Sequence, residues 1–150
     1  MANISVLLVD GFADWEYALI SAGSRAFFGD QVQYVSPSTQ EICSIGGLRT
    51  KADLPLDQWT PEGNQALLVI GSELWTKSDP PHTVRAIRSA WDAGLIVGAI
   101  CAGTLAVGRA GLLNEHPHTS NSLGFLKQFL PAYAGDALYQ DRPQAVSHDR

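Results

Sequence analysis

The 150-residue chain has few charged residues, two cysteines and no hydrophobic run that would span a bilayer. Charged residues make up 17% of the sequence, against about 25% in a typical globular protein. Apolar residues make up 45%, which excludes an intrinsically disordered chain, because disorder combines low hydrophobicity with high charge. The longest apolar runs, residues 66–70 and 95–101, are far shorter than the roughly 18 to 20 residues that cross a membrane.

Basic residues are also scarce, since ten Lys and Arg stand against fifteen Asp and Glu, a net charge of -5. Nucleic-acid binding relies on clustered Lys and Arg, so we expect no nucleic-acid partner. The first nine residues show no signal-peptide pattern. Cys43 and Cys101 have neither metal-ligand nor disulfide-framework spacing. We therefore expect a cytoplasmic domain that contacts no membrane and holds no metal.

Apolar runs alternate along the chain with segments of helical periodicity. Continuous apolar runs are typical of strands that are buried on both faces, and strands that alternate with helices indicate a parallel sheet. The sequence thus predicts an α/β fold, whose ligands bind at the carboxyl ends of the strands. The predicted strands are residues 4–9, 32–35, 66–70 and 95–100, and the predicted helices are residues 14–28 with Asp14 as N-cap, a helix opened by Pro80-Pro81, and residues 102–110 and 122–130.

Three other segments carry turn signals. Gly46-Gly47 predicts a hairpin with a tight two-residue turn, because glycine supplies the positive φ angles that such a turn needs. Two prolines, a glycine and an asparagine predict a loop over residues 53–64. Residues 137–140 and 144–147 are predicted as two short strands around Asp141-Arg142-Pro143.

Cys101 lies where the predicted strand 95–100 runs directly into a helix. A side chain at such a turn points out over the N-terminus of the next helix, as the serine of a nucleophile elbow does. The helix N-terminus favours a thiolate, and the backbone N–H of Ala102 is free to stabilise an oxyanion. The alternative is a small buried cysteine without chemistry. Cys43, in the hairpin with no helix behind it, is expected to be inert.

Three motifs together resemble those of the ThiJ/PfpI superfamily, the class I glutamine amidotransferase-like proteins. They are Gly11-Phe12-Ala13-Asp14-Trp15-Glu16 after the first strand, Gly98-Ala99-Ile100-Cys101-Ala102-Gly103-Thr104 at the elbow, and Gly111-Leu112-Leu113 followed by His118-Thr119-Ser120-Asn121. The resemblance covers nearly the whole chain and implies a flavodoxin-like sandwich with helices on both faces of the sheet. It also implies one domain over residues 1–150 that lacks the family's C-terminal strand and helix.

The resemblance implies roles for three residues. Glu16 would lie beside Cys101 and stay protonated, because a neutral donor stabilises a thiolate that a charged carboxylate would oppose. His118 would be the active-site histidine, with His116 as the alternative. The protease-like branch of the family carries a histidine directly after the cysteine, and here that position is Ala102.

The loop after the third strand would supply oxyanion contacts. Relatives have a Pro-Gly-Gly turn there, and this chain has Gly71-Ser72-Glu73-Leu74-Trp75. Trp75 would form either an apolar wall of the pocket or part of the core. The expected catalytic residues are thus Cys101, Glu16 and His118, and the expected substrate- or oxyanion-binding residues are Gly71, Ser72, Trp75, Ala102, Gly103 and Thr104.

The function implied by the resemblance is cysteine-dependent. It would be a hydrolase or amidase, or a deglycase- or glyoxalase-like enzyme, that acts on a small C–N or carbonyl compound without a cofactor and forms a homodimer. One alternative is a redox or stress-response sensor whose reactive cysteine is oxidised. Another is a family member without catalytic activity.

Overall fold

The computed structural model describes residues 1–142 and 144–148. Seven strands are formed, all of them short. They are β1 (Asn3–Leu7), β2 (Gln31–Ser36), β3 (Ile42–Cys43), β4 (Arg49–Thr50), β5 (Leu54–Pro55), β6 (Ala66–Val69) and β7 (Ile96–Ala99). Five of them make one parallel sheet in the order β5-β2-β1-β6-β7, while β3 and β4 pair with each other in antiparallel fashion.

Four α-helices cover this sheet on both faces. They are α1 (Asp14–Gly23), α2 (Val84–Asp92), α3 (Gly103–Arg109) and α4 (Leu123–Phe129). A π-helical turn, Ser24–Phe28, continues α1, so the predicted helix over residues 14–28 is confirmed. The prolines at positions 80 and 81 precede α2 by several residues and do not open it. The predicted flavodoxin-like α/β fold is confirmed.

Strand β1 divides the core into two clusters. Leu7 faces a large cluster that includes residues of α2, α3 and α4, whereas Val6 faces a smaller one with Phe12 and Ile42. Successive side chains of a strand point to opposite faces of the sheet. The continuous apolar run that predicts β1 therefore corresponds to burial on both faces.

Among the described residues, strand β7 lies at the edge of the sheet and pairs with β6 alone. The prediction of an inner strand for residues 95–100 is therefore wrong, and Ile96 and Ile100 are 50% and 47% exposed. An apolar run indicates buried faces of a strand, but it carries no information about whether both backbone edges are paired. Cys101 consequently follows a strand whose backbone, within the described sheet, is hydrogen-bonded to a neighbouring strand on one side.

Two turn predictions need correction. The hairpin is present, but Ser44 N–H donates to the Leu48 carbonyl, so its loop contains Ile45, Gly46 and Gly47, of which only Gly47 has a positive φ. The predicted loop over residues 53–64 contains β5, which pairs with β2. Its Pro55 is compatible with that place because the strand lies at the sheet edge, where a missing N–H is tolerated.

The two strands predicted near residues 137–147 are wrong. Asp136–Leu138 forms a 3-10 turn, and Tyr139 makes an isolated bridge with His118. Residues 144–147 form no strand, and Pro143 lies outside the described residues. Because each segment finds its contacts elsewhere, the two do not pair. None of the helices within the described residues has the length and hydropathy needed to cross a bilayer.

Candidate active site

Cys101 occupies a sharp turn between β7 and α3. It has a φ of 53°, the one positive φ of a non-glycine residue in the described part of the chain. This left-handed conformation is costly for a residue with a Cβ and is concentrated at functional sites. The side chain is exposed, which excludes the alternative of a buried structural cysteine. The geometry is that of a nucleophile elbow.

Close packing of α3 against β6 fixes the exit from this turn. A Cβ on Gly103 would lie 2.4 Å from the Val69 carbonyl oxygen, a separation that atoms do not adopt. Ala102, at the helix N-cap, is buried. Small residues therefore follow Cys101 because the backbone of β6 leaves no room for larger ones.

Glu16 reaches the same place from the first turn of α1. Its Oε2 accepts a 2.6 Å hydrogen bond from the backbone N–H of Gly71, and its carboxyl group also hydrogen-bonds Cys101. A Cβ on Gly71 would lie 2.7 Å from Glu16 Oε2 and 3.2 Å from Cys101 Cβ. The structure thus brings Cys101, Glu16 and Gly71 into contact, and only glycine fits between the other two.

Burial raises the pKa of the Glu16 carboxyl above its ordinary value, and the hydrogen bonds to Gly71 and Cys101 oppose that rise only in part. The protonated form therefore persists to a higher pH than it would in a solvated glutamate. A protonated carboxyl is both a hydrogen-bond donor and a proton source.

The hairpin holds the loop that leads to Glu16. Asp14 is not the N-cap of α1, a place taken by Ala13. Instead Asp14 Oδ2 accepts a 2.8 Å hydrogen bond from Gly46 N–H, and hydrogen bonds with Ser44 and Gly46 lower the pKa of Asp14. The hairpin is also joined to this loop by a hydrogen bond of Ile45 N–H to the Phe12 carbonyl. Residues distant in sequence thus set the position of α1.

Asn121 is the site residue that the sequence did not single out. Its Nδ2 donates a 3.4 Å hydrogen bond to Cys101 Sγ. Its neighbour Ser120 is 2.7 Å from Thr104 Oγ1, which in turn donates to the Cys101 carbonyl oxygen at 2.7 Å. Asn121 belongs to the motif that carries the resemblance, but no spacing rule connects it to Cys101.

The structure does not bring His118 to Cys101. His118 is 5% exposed, with Nδ1 2.7 Å from the His116 carbonyl oxygen and Nε2 2.7 Å from the Tyr133 hydroxyl. A carbonyl oxygen only accepts, so Nδ1 donates to His116, and Nε2 is hydrogen-bonded to the Tyr133 hydroxyl, whose pKa burial raises to about 12. Both ring nitrogens of His118 are therefore hydrogen-bonded to groups other than the sulfur, and the proton relay predicted for His118 stays a prediction.

His116, the alternative histidine, also lies elsewhere. Its ring packs against Trp91 and His148, at centroid distances of 4.5 and 5.0 Å. His148 is half-buried in this ring contact. In the described part of the chain, the hydrogen-bond partners of Cys101 side-chain sulfur are Glu16 and Asn121.

Trp75 belongs to the core rather than to the site. It is fully buried, and its indole N–H donates a 2.8 Å hydrogen bond to the Ile70 carbonyl. Of the two sequence-based alternatives, a pocket wall is thereby excluded. Trp75 supports the turn after β6 from behind.

Two backbone amides are candidate oxyanion donors. Ala102 follows Cys101 in the chain, and Ser72 lies in the loop after β6, the strand that pairs with β7. Neither the backbone amide of Ala102 nor that of Ser72 donates to another described residue, whereas the Gly71 amide is engaged by Glu16. The Ser72 side chain is committed to the loop, since its Oγ donates to the Asp10 carbonyl and accepts from Leu74 N–H.

A hollow of about 230 Å³ opens beside Glu16. Its other lining residues are apolar, and they come from α1, β6, β7 and the residues that follow the two strands: Ile20, Leu68, Val69, Ile70, Gly98, Ala99 and Ile100. Across residues 1–142 and 144–148, no group of three or more His, Cys, Asp or Glu side chains is arranged to hold a metal ion.

Comparison with known proteins identifies relatives that are longer than this chain. The chain is 31% identical over 144 residues to the Bacillus subtilis protein named uncharacterized protease YoaZ, covering 91% of this chain and 68% of that protein. It is 28% identical over 129 residues to uncharacterized protease YdeA of the same organism, covering 86% of this chain and 64% of that protein. The chain thus spans about two thirds of the length of these two relatives.

Solved structures share the fold closely. The DJ-1 superfamily protein Atu0886 from Agrobacterium tumefaciens superposes with a TM-score of 0.92 at 35% identity, over 98% of this chain and 78% of that one. A thiJ/pfpI family protein from Bacillus anthracis gives a TM-score of 0.86 at 31% identity, over 98% and 73%. The sequence model of the DJ-1/PfpI family matches residues 2–149. The chain therefore belongs to the DJ-1/PfpI family.

Proposed function

We propose that the protein is a cysteine-dependent enzyme that acts on a small carbonyl compound, with Cys101 as nucleophile. One observation carries the proposal: the Glu16 carboxyl, held by Gly71 N–H, meets Cys101 at a strained, exposed turn. A nucleophile and a proton source are then within reach of one reacting group, as covalent catalysis requires.

The proposed step is addition to a carbonyl carbon. A sulfur lone pair of the Cys101 thiolate forms the C–S bond while the π electrons of C=O move to oxygen. Glu16 gives its proton to that oxygen, so the first products are a neutral hemithioacetal and a Glu16 carboxylate. With methylglyoxal, the Glu16 carboxylate then takes the C–H proton of the hemithioacetal and returns it to the neighbouring carbon, which converts the adduct to a lactoyl thioester. Water hydrolyses this thioester to lactate and restores the Cys101 thiol. The free amides of Ala102 and Ser72 are the candidate donors to the developing negative charge.

Carbonyl addition suits these residues better than amide hydrolysis. Expulsion of an amine requires a group that protonates the leaving nitrogen and one that activates water, and both histidines considered are engaged elsewhere. The two relatives named proteases make amide hydrolysis the second candidate.

The test is consumption of methylglyoxal, followed together with the mass of the intact protein. We expect turnover that is abolished by Cys101→Ser and kept by Cys43→Ser, the matched cysteine control. Turnover that survives Cys101→Ser would refute the proposal. If methylglyoxal is not consumed, but low peroxide adds one or two oxygens to Cys101, the sensor alternative replaces it.

A further inference from the structure

We propose that Asn121 is a second catalytic residue of this site, one that stabilises and orients the Cys101 sulfur through its side-chain amide in place of a histidine. The inference rests on the proposed function, because it assigns Asn121 a task at the same nucleophile. Asn121 belongs to the third motif of the resemblance, but no spacing rule connects it to Cys101, and the 3.4 Å separation of Nδ2 and Sγ is what singles it out.

A chain of hydroxyl groups fixes Asn121 relative to Cys101. Thr104 Oγ1 donates its single proton to the Cys101 carbonyl oxygen, so in the 2.7 Å contact between Thr104 and Ser120 the Ser120 hydroxyl must be the donor. Ser120 is thereby tied through Thr104 to the backbone of the residue whose sulfur Asn121 meets. Thr104 thus holds both partners of this hydrogen bond: it binds the backbone of Cys101, and it binds Ser120, the neighbour of Asn121.

A second anchor lies on the other side of Asn121. Ser122 is the N-cap of α4, and its Oγ accepts a 2.9 Å hydrogen bond from Phe125 N–H. Since both neighbours of Asn121 are held by hydrogen bonds, little conformational entropy remains to be lost when its amide meets the sulfur. An exposed side chain is in this way placed for a specific contact.

The other groups around Cys101 leave a distinct task for Asn121. Glu16 on α1 is the titratable partner of the sulfur among the described residues. Gly71 and Ser72 after β6, Thr104 on α3 and Ser120 are uncharged, and buried His118 is hydrogen-bonded to Tyr133 and to the His116 carbonyl. While Glu16 commits its proton to the substrate oxygen, Asn121 is the side chain that donates to the thiolate before the C–S bond forms.

The chemistry of an amide donor differs from that of a histidine. A side-chain amide neither gains nor loses a proton in the accessible pH range, so it stabilises a thiolate without adding a titration of its own. A hydrogen bond to a charged acceptor is stronger than one between neutral groups. The contact therefore strengthens when the thiol ionises.

The test is the pH dependence of alkylation by iodoacetamide at Cys101, measured by peptide mass spectrometry with Cys43 as internal reference. Asn121→Ala removes the donor, and we expect its profile to move up by about one pH unit, which is about tenfold slower alkylation below the midpoint. Asn121→Asp replaces the donor by a like charge and should move it further. Asn121→His should add a second titration near pH 6.5.

Gln128→Ala, at an exposed amide on α4, is the matched control and should leave the profile unchanged. Profiles of Asn121→Ala and Asn121→Asp that coincide with this control would overturn the inference, while faster alkylation of Cys101 than of Cys43 in the unaltered chain would leave the proposed function standing. Equal alkylation of the two cysteines in the unaltered chain would overturn both. Thermal denaturation of every variant identifies any that fails to fold, and Asn121→His then supplies the readout.

Discussion

The backbone amide of Gly71 donates to the Glu16 carboxyl across 55 positions of sequence, at 2.6 Å. This one hydrogen bond joins the end of β6 to the beginning of α1, and Cys101 Cβ lies close to both groups. The two helices and two strands that build the site meet here. Its geometry therefore depends on a residue that has no side chain.

Gly71→Ala should inactivate the site while the chain still folds. The added methyl group would lie within 3 Å of both Glu16 oxygens, so the carboxyl must leave Cys101, and we expect at least about tenfold slower turnover of methylglyoxal. The cost in unfolding free energy should be about 1–3 kcal/mol, measured by urea denaturation. Gly23→Ala is the control, because a Cβ there meets no atom within 4 Å and its turnover should be normal.

Glu16→Gln should separate catalysis from stability. Because burial raises the pKa of Glu16, the protonated form is favoured by folding, and the associated stability is present below the unfolded pKa and lost as pH rises through the folded pKa. Glutamine keeps the acceptor for Gly71 N–H and cannot ionise. The urea midpoint of Glu16→Gln should therefore not fall as pH rises to neutral, whereas that of the unaltered chain should.

The same variant should lose turnover, because an amide does not deliver a proton to the carbonyl oxygen. In the unaltered chain, turnover by proton donation should fall as pH rises through the raised pKa of Glu16. A Glu16→Gln protein with unchanged turnover across this pH range would show that the proton comes from another group.

Asp14→Asn should loosen the hairpin in a pH-dependent way. Hydrogen bonds with Ser44 and Gly46 lower the pKa of Asp14, so its contribution to stability is present above the unfolded pKa and is lost as pH falls through the folded value. We expect Asp14→Asn to lower the urea midpoint at neutral pH and to match the unaltered chain in acid. A difference that is independent of pH would contradict the assigned cause.

Gly103→Ala should be more damaging than its conservative chemistry suggests. The new Cβ would lie 2.4 Å from a carbonyl oxygen of β6, and backbone cannot move aside as a flexible side chain can. We expect a loss of about 1–3 kcal/mol or more, visible as a lower Tm. Gly124→Ala, where the nearest atom is 3.8 Å away, should leave Tm unchanged or raise it, because alanine favours the helix.

Local patterns predicted β1, α1 and the elbow correctly, because each depends on neighbours in sequence. The run 4–9 identifies β1, and Cys101 between a strand and a helix identifies the turn. The proximity of Glu16 came from a family resemblance, since no spacing rule connects α1 with the end of β7. The position of Cys101 was thus predictable from local patterns, whereas that of Glu16 was predictable only from the family resemblance.

His118 and Asn121 illustrate what local sequence patterns do not predict. His118 and Asn121 lie three positions apart on one irregular segment, and side chains on such a segment have no fixed periodicity. Which of them faces the sulfur depends on contacts with Tyr133, Thr104 and α4 that only the folded chain displays. The edge position of β7 was not predicted for a related reason, because the sequence of one strand does not determine which other strands pair with it.

The edge position of β7 also bears on how long the assembled site persists. Backbone amides on the unpaired side of an edge strand exchange with solvent through small local openings, whereas those of the central strand β1 require a larger one. Since Cys101 follows β7, an opening confined to this edge of the described sheet would separate the sulfur from Glu16 while the central strands stay paired. The fraction of molecules in which Cys101 and Glu16 are in contact is then set by a local equilibrium. The free energy of that local opening is smaller than the free energy of global unfolding.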